Sequence, residues 1–462
     1  MKRTNFYMTA QVFLFVTLFT ALNVDAQQWD RFRGPNGSGV SNGEIAPPET
    51  WSPTENVKWK AELPGAGVSC PIIIGDKIFL TCYTGYGESR DNIGDQEDLK
   101  RQVVCVNRED GSIAWSKTVD AVLPEDKYSG MGVPEHGYAS HTPVSDGENL
   151  FVFLGKTGVM AFDFEGNELW KTSVGTQSDN KRWGSSSSPI LHDDVVIVTA
   201  VSESRKIYGL NKTNGEVIWE QDADGLQETW GTPVVVKIDD ERTDVVVGVN
   251  SRILGLNPAD GTIRWYVTNV PAPSFYSSVV EHDGVIYAAV GSRRGGGSLA
   301  VKVGGEGDVT DTHTVWSTNL RNSYATPVVH NDKMFLIDRS ILTTINIKDG
   351  EVEGEKVRIG GAAGNRGGGG GARGGRGGGG RRGGGGRRGG PGGGDYASPI
   401  IANGKLYFVK RSGATHVIDT ETQEEIAVNT VTEDAEEFSA TPAVSDGQIF
   451  LRSNKHLYCV EK

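Results

Sequence analysis

The chain has 462 residues, 37% of them hydrophobic, and a formal net charge of -13. That is ample for a large core, and the acidic balance argues against nucleic acid or an anionic membrane surface as partner. Four cysteines in this length exclude a disulfide-stapled scaffold, and no CxxC occurs.

Residues 1–26 read as a cleavable secretory signal. Lys2 and Arg3 open it, Phe6 to Leu22 is mostly apolar, and Val24 and Ala26 precede a cut before Gln27. No cysteine follows the apolar run, so a lipid anchor is not expected, and no other stretch could span a bilayer. The expected location is periplasmic or secreted. Residues 27–56 form an N-terminal extension, and 57–462 carry a repeat.

The repeat shows in a phrase of Ser or Thr, then Pro, then apolar residues, then an Asp/Asn/Gly turn. Its anchors are Pro71, Pro143, Pro189, Pro233, Val279, Pro327, Pro399 and Pro442, a unit of roughly 45 residues with two long insertions. Each unit holds β-branched and aromatic runs such as "KIFLTC" and "KLYFV" after a hairpin turn. A third run leads into a second phrase, as in "CVNREDGSIAW", "GLNKTNGEVIW" and "GLNPADGTIRW", whose Trp starts a fourth. The expected fold is all-β: an eight-bladed β-propeller of four-stranded antiparallel blades. The last unit lacks its fourth strand, and "NVKWKAEL" with Trp59 supplies it from the N-terminal side, closing the ring.

The second phrase resembles the tryptophan-docking motif of the pyrroloquinoline-quinone (PQQ) repeat propellers. The resemblance runs from about Asn56 to Lys462. It implies that Trp59, Trp115, Trp170, Trp219, Trp265 and Trp316 pack between blades against glycines such as Gly111, Gly215 and Gly261. Unit six has Gly354 and unit seven Ala427 where the Trp belongs. The family's dehydrogenases hold PQQ and Ca²⁺ in the central channel, usually with a vicinal Cys-Cys pair. This chain has no such pair, and no Ca²⁺ ligand set or base maps onto it, so no cofactor, no metal and no catalytic residue are assigned. The chain is more similar to the exported BamB-like, non-enzymatic subgroup. A PQQ- and Ca²⁺-dependent oxidoreductase is the alternative.

Other motifs are weaker. The acidic "RDNIGDQED" lacks the spacing of a calcium loop. His192, His282 and His330 fall on turns of different blades, while His136 and His141 flank a long inter-blade loop and read as hydrogen-bonding. Cys70, Cys105 and Cys459 occupy small-residue columns, although neighbouring blades leave a Cys105–Cys459 disulfide open.

One propeller face gathers two sets of loops. Those between the second and third strands carry Lys156, Arg205, Lys206, Arg252, Arg293, Arg294, Arg339, Lys410, Arg411 and Lys455. The loops entering the first strand carry Tyr138, Trp183, Trp230, Tyr276, Tyr324, Tyr396 and Phe438. Candidate ligand-binding residues are therefore Trp183, Trp230, Tyr276, Tyr324, Tyr396, Arg252, Arg339 and Arg411. The Gly/Arg-rich insertion at about 360–394 carries seven Arg and cannot bury a core, so it reads as disordered. The expected protein is a monomeric scaffold that binds a protein or cell-envelope component, with a carbohydrate such as a polysaccharide, or an anionic polymer, as the alternative ligand. Nucleic acid is not expected, since export removes that partner.

Overall fold

The computed structural model describes residues 28–222, 225–226, 228–271, 274–292, 295–360 and 394–462. The signal segment, Arg293, Arg294 and nearly all of the Gly/Arg-rich insertion lie outside the described residues. Eight antiparallel sheets succeed one another along the chain. They form an eight-bladed β-propeller.

Blade 1 shows the pattern. Ile72–Ile74 lies innermost, followed outward by Lys77–Thr84, Lys100–Asn107 and Ile113–Asp120. The middle strands are buried on both faces because each blade is sandwiched between two others, so they read as continuous apolar runs. The outermost strands alternate: Val217–Asp222 buries Trp219 and exposes its neighbours. Blade 8 joins Ala443–Ser445, Gln448–Arg452 and His456–Val460 to Val57–Glu62, with Trp59 opposite Cys459. Both ends of the repeat region thus share one sheet.

Two blades gain a strand. Val40–Ser41 pairs in parallel with Ile400–Ala402 on the inside of blade 7, and Gly307–Asp308 pairs with Ile263–Val267 on the outside of blade 4. Blade 6 has the shortest outer strand, Val357–Arg358. It lacks the docking Trp; blade 7 lacks it too, with Ala427 in its place, yet keeps a five-residue outer strand, Glu425–Asn429.

Between blades, the indole N–H groups of Trp59, Trp115, Trp170, Trp219 and Trp316 donate to Arg108, Phe164, Lys212, Pro258 and Ile347 carbonyls at 2.7–2.9 Å. Each acceptor belongs to the next blade. The rings lie flat on Gly111, Gly166, Gly215, Gly261 and Gly350; a Cβ on Gly215 would stand 2.5 Å from the Trp170 ring. The same turn needs φ near +73° at Gly215, a second reason for glycine. Trp265 differs. Its N–H donates to Asp244 Oδ2 of its own blade at 2.8 Å, because an insertion displaces the matching turn of blade 5. Asp244 is fully buried and also paired with Arg242 and Arg264 at 2.9 and 2.5 Å. This buried ion cluster takes the place of a glycine dock.

The columns meet at the axis. The backbone N–H of Cys70 donates to Thr142 Oγ1, that of Thr142 to Ser188 Oγ, and so on through Thr232, Ser278, Thr326, Ser398 and Thr441 at 2.9–3.0 Å. Cys70 takes the eighth place, its sulfur facing the Thr441 backbone. Seven hydroxyls and one thiol, one group per blade, therefore stitch the inner strands into a hoop. All four cysteines are free and buried, so Cys105 and Cys459 are not joined. Burial pushes both thiols up to about 12.

Candidate functional site

The inner strands leave an axial channel, and the N-terminal extension threads its lower half, leaving beside it an open cavity of about 250 Å³ lined by Asp30, Arg31, Asn36, Ser145, Leu191 and Val235. Trp29 exchanges backbone bonds with Ile73 of blade 1 at 2.9 and 3.1 Å, and Ser145 of blade 2 donates to Asp30 O at 3.0 Å. Arg31 reaches Pro233 O of blade 4 at 2.9 Å, and Asn36 brackets Val235 at 2.7 and 3.1 Å. Arg33 is completely buried. Its guanidinium donates to Gly37 O, Ser38 O, Thr326 O and Pro327 O at 2.8–3.2 Å. Burial pulls Arg33 down to about 9, so it stays charged at neutral pH. The close folding of this segment rests on glycine: a Cβ on Gly34 would stand 2.5 Å from the Trp29 ring, and φ there is +66°. Sequence reasoning treated the segment only as an extension. Its signal was the Trp-Asp-Arg-Phe-Arg-Gly-Pro run, too polar to suggest complete burial.

Above the hydroxyl hoop is the mouth. The residue three before each anchor is Val68, Ser140, Ser186, Trp230, Tyr276, Tyr324, Tyr396 or Ser439. One half of the mouth is therefore aromatic and the other small. Trp183 joins the aromatic half, and the rings touch in series. Trp183–Trp230, Trp230–Tyr276, Tyr276–Tyr324 and Tyr324–Tyr396 centroids are 5.7, 5.2, 5.5 and 4.9 Å apart. Tyr324 is the most open of them, 41% exposed.

Side chains that sequence reasoning missed hold this arc. Lys181 sits 4.8, 5.3 and 5.5 Å from the Trp183, Trp230 and Tyr276 centroids and pairs with Glu228 at 2.8 Å. Burial pulls its ammonium down, but Glu228 and Tyr276 outweigh that and leave it above the usual value. At the other end Glu135 binds Arg411 at 2.6 Å and Arg90 at 2.5 Å. Arg411 lies over Tyr396, whose hydroxyl donates to Glu135 at 3.4 Å. His136 braces Trp183: its Nε2 lies 2.7 Å from the Trp183 carbonyl, which only accepts, so Nε2 carries the proton. Burial keeps His136 below the ordinary value, hence neutral. The detectable signal for the arc was the run of aromatics in one column over four consecutive units.

The remaining candidates separate. Arg252 lies over Tyr266 of its own blade, and Arg339 is exposed on the rim of blade 6. Lys156 is not a rim cation but is buried, donating to Pro124 O at 2.8 Å and Ser178 Oγ at 3.0 Å. Lys410 is turned onto Ile359 O at 3.1 Å. Tyr138 leaves the mouth for a cluster with Tyr83, Tyr86 and Tyr128, and Phe438 packs on Tyr458. Beneath Trp183 lies a buried polar string. Ser185 Oγ is 3.0 Å from His141 Nε2 and donates to Glu203 at 2.5 Å. Burial pushes Glu203 up to about 7 and His141 well below its ordinary value.

The residues do not fit PQQ with Ca²⁺. Among the described residues no three His, Cys, Asp or Glu side chains converge as metal ligands. Below the hoop the axis holds the chain's own Trp29 and the fully buried Arg33. No step is derived through that group.

Among solved structures, BamB from Moraxella catarrhalis is similar with a TM-score of 0.55 at 14% identity, over 87% of this chain and 98% of that one. A quinohemoprotein alcohol dehydrogenase from Pseudomonas putida gives 0.52 at 9% identity, over 94% and 80%. The computationally designed Ika8 protein gives 0.53 at 8% identity, over 88% and 100%. At such identities the likeness concerns the fold alone. No curated protein sequence matches. The repeat model described as outer membrane protein assembly factor BamB matches residues 56–221 and 99–356. With its indole-on-glycine docks and ring closed by Trp59, the chain belongs to the PQQ-repeat β-propeller family that this model defines.

Proposed function

We propose that the protein is an exported, non-catalytic recognition propeller that grips a cell-envelope component at its ring-lined mouth. The observation that carries this reading is the filled axis. Arg33, Trp29 and the hydroxyl hoop occupy the axial channel. What the molecule offers a partner is then a surface: partly exposed rings backed by the buried Trp230, with paired charges held by rigid blades, the usual make-up of a binding centre. The BamB description of the matching family model supports an envelope partner. The signal-like residues 1–26 support export.

The rival reading is a quinoprotein oxidoreductase, and one titration separates the two. The full chain is mixed with PQQ and Ca²⁺ while its visible spectrum is followed, and dye reduction is assayed with alcohols and sugars. The expected result is no saturable spectral change and no substrate-dependent reduction. Saturable binding with turnover would sink the scaffold reading.

A further inference from the structure

We propose that the mouth binds an acidic polysaccharide, a chain of pyranose rings bearing carboxylates or sulfates. This rests on the mouth being the gripping surface. The aromatic half supplies a curved track on which rings from blades 3 to 7 touch in series. A pyranose presents a flat C–H face of weak positive character, and aromatic faces are negative, so successive sugars can lie along such a track. The opposite half of the same column is Ser439, Val68, Ser140 and Ser186, all partly exposed. Small side chains there leave width; the Ser140 hydroxyl is held by His136 at 2.6 and 3.1 Å, and Ser186 and Ser439 add two further hydroxyl-bearing residues to that half.

Charge selects the acidic class. Three of the mouth carboxylates are paired, Glu228 with Lys181 and Glu135 and Glu437 with Arg90 and Arg411, while Asp179 and Asp395 accept hydrogen bonds from hydroxyls and backbone N–H groups. Around the arc stand Arg182, Arg205, Arg321 and Arg339, all exposed and making no side-chain hydrogen bond or ion pair among the described residues. These four exposed cations share the face that carries the rings, on a chain of net charge -13. A peptide would match this surface less well. The arc is built from loop side chains, whereas an extended peptide draws much of its affinity from a strand edge.

The test follows tryptophan emission of the full chain during titration with polygalacturonate, a sulfated galactan and neutral dextran. Saturable quenching is expected with the carboxylated or the sulfated polymer, the two arms telling which acid group is read. Dextran should bind at least ~10-fold more weakly. Tyr324→Ala and Arg321→Ala should each weaken binding ~10-fold, Tyr324→Phe should bind like wild type, and Lys237→Ala on the opposite face should change nothing. Circular dichroism checks that each variant is folded. Equal binding by Tyr324→Ala and wild type would reduce the effect to ion exchange and overturn the inference, as would a preference for dextran or no binding to any polymer. An envelope protein captured through Tyr324 and Arg321, with no polymer bound, would also overturn it while leaving the scaffold reading intact.

Discussion

Glu203 is a carboxyl with one partner, the Ser185 hydroxyl, and almost no water. Burial favours its neutral form, so its folded value of about 7 lies above the ordinary 4.5. The sign follows by linkage. Below pH 4.5 the group is protonated folded or unfolded and costs nothing. Stability then falls as pH rises, and the loss is complete above about 7. Glu203→Gln keeps the neutral shape, so its denaturant midpoint should match wild type near pH 4.5 and exceed it at pH 8. A second expectation concerns the docks. Trp219→Ala removes a ring from between two blades and a hydrogen bond of 2.9 Å to Pro258, which should lower stability by about 3–5 kcal/mol in denaturant unfolding. Gly215→Ala sets a methyl against Trp170 and holds alanine at φ +73°, costing at least ~1–2 kcal/mol.

At the scale of elements, the repeat was legible because its period lies in the sequence itself. Four strands per unit, hairpin turns and the phrase that ends in Trp fixed blade count and strand order before any coordinates. The departures were legible only in part. Gly354 and Ala427 in the Trp column marked two absent docks, but only blade 6 has a shortened outer strand. Nothing announced that Trp265 would turn to Asp244, because that choice depends on an insertion in the next blade and on two arginines arriving from elsewhere. The axial segment was illegible for a related reason. Its bonds run to carbonyls of blades 4 and 6, some 200 and 290 residues away, and backbone acceptors leave no trace in side-chain patterns. Arg33→Ala would strand four carbonyls, two of them on blade 6, and Arg33→Lys cannot reach them all with one ammonium. Loss of about 2–4 kcal/mol is expected for Arg33→Ala by denaturant unfolding, with a smaller loss for the lysine. Equal stability of both with wild type would mean that the segment adds nothing to the fold.

For the whole molecule, the candidate site was half visible. Summing loop aromatics by face found the five rings, because the propeller's geometry assigns loops to faces without further information. The ion pairs that orient them, Lys181 with Glu228 and Arg411 with Glu135, join residues of different blades and could not be inferred from one blade's sequence. Closure has a similar hidden member. Arg452 of blade 8 is buried and donates to Ser69 O and Oγ at 2.6 and 2.5 Å and to Thr81 O at 2.8 Å in blade 1, beside the better signalled Trp59 strand.

That shared eighth sheet imposes an order of events. The strand Val57–Glu62 leaves the ribosome early, yet its partner His456–Val460 comes some 400 residues later. Until then the early strand has no hydrogen-bonding neighbour, and Arg33 waits some 290 residues for its blade 6 acceptors. Joining ends so far apart costs loop entropy and makes the final step slow. A nascent molecule therefore lives for a while as an unlatched wheel with its axle already laid down. Helpers that shield bare strand edges would matter most during that interval.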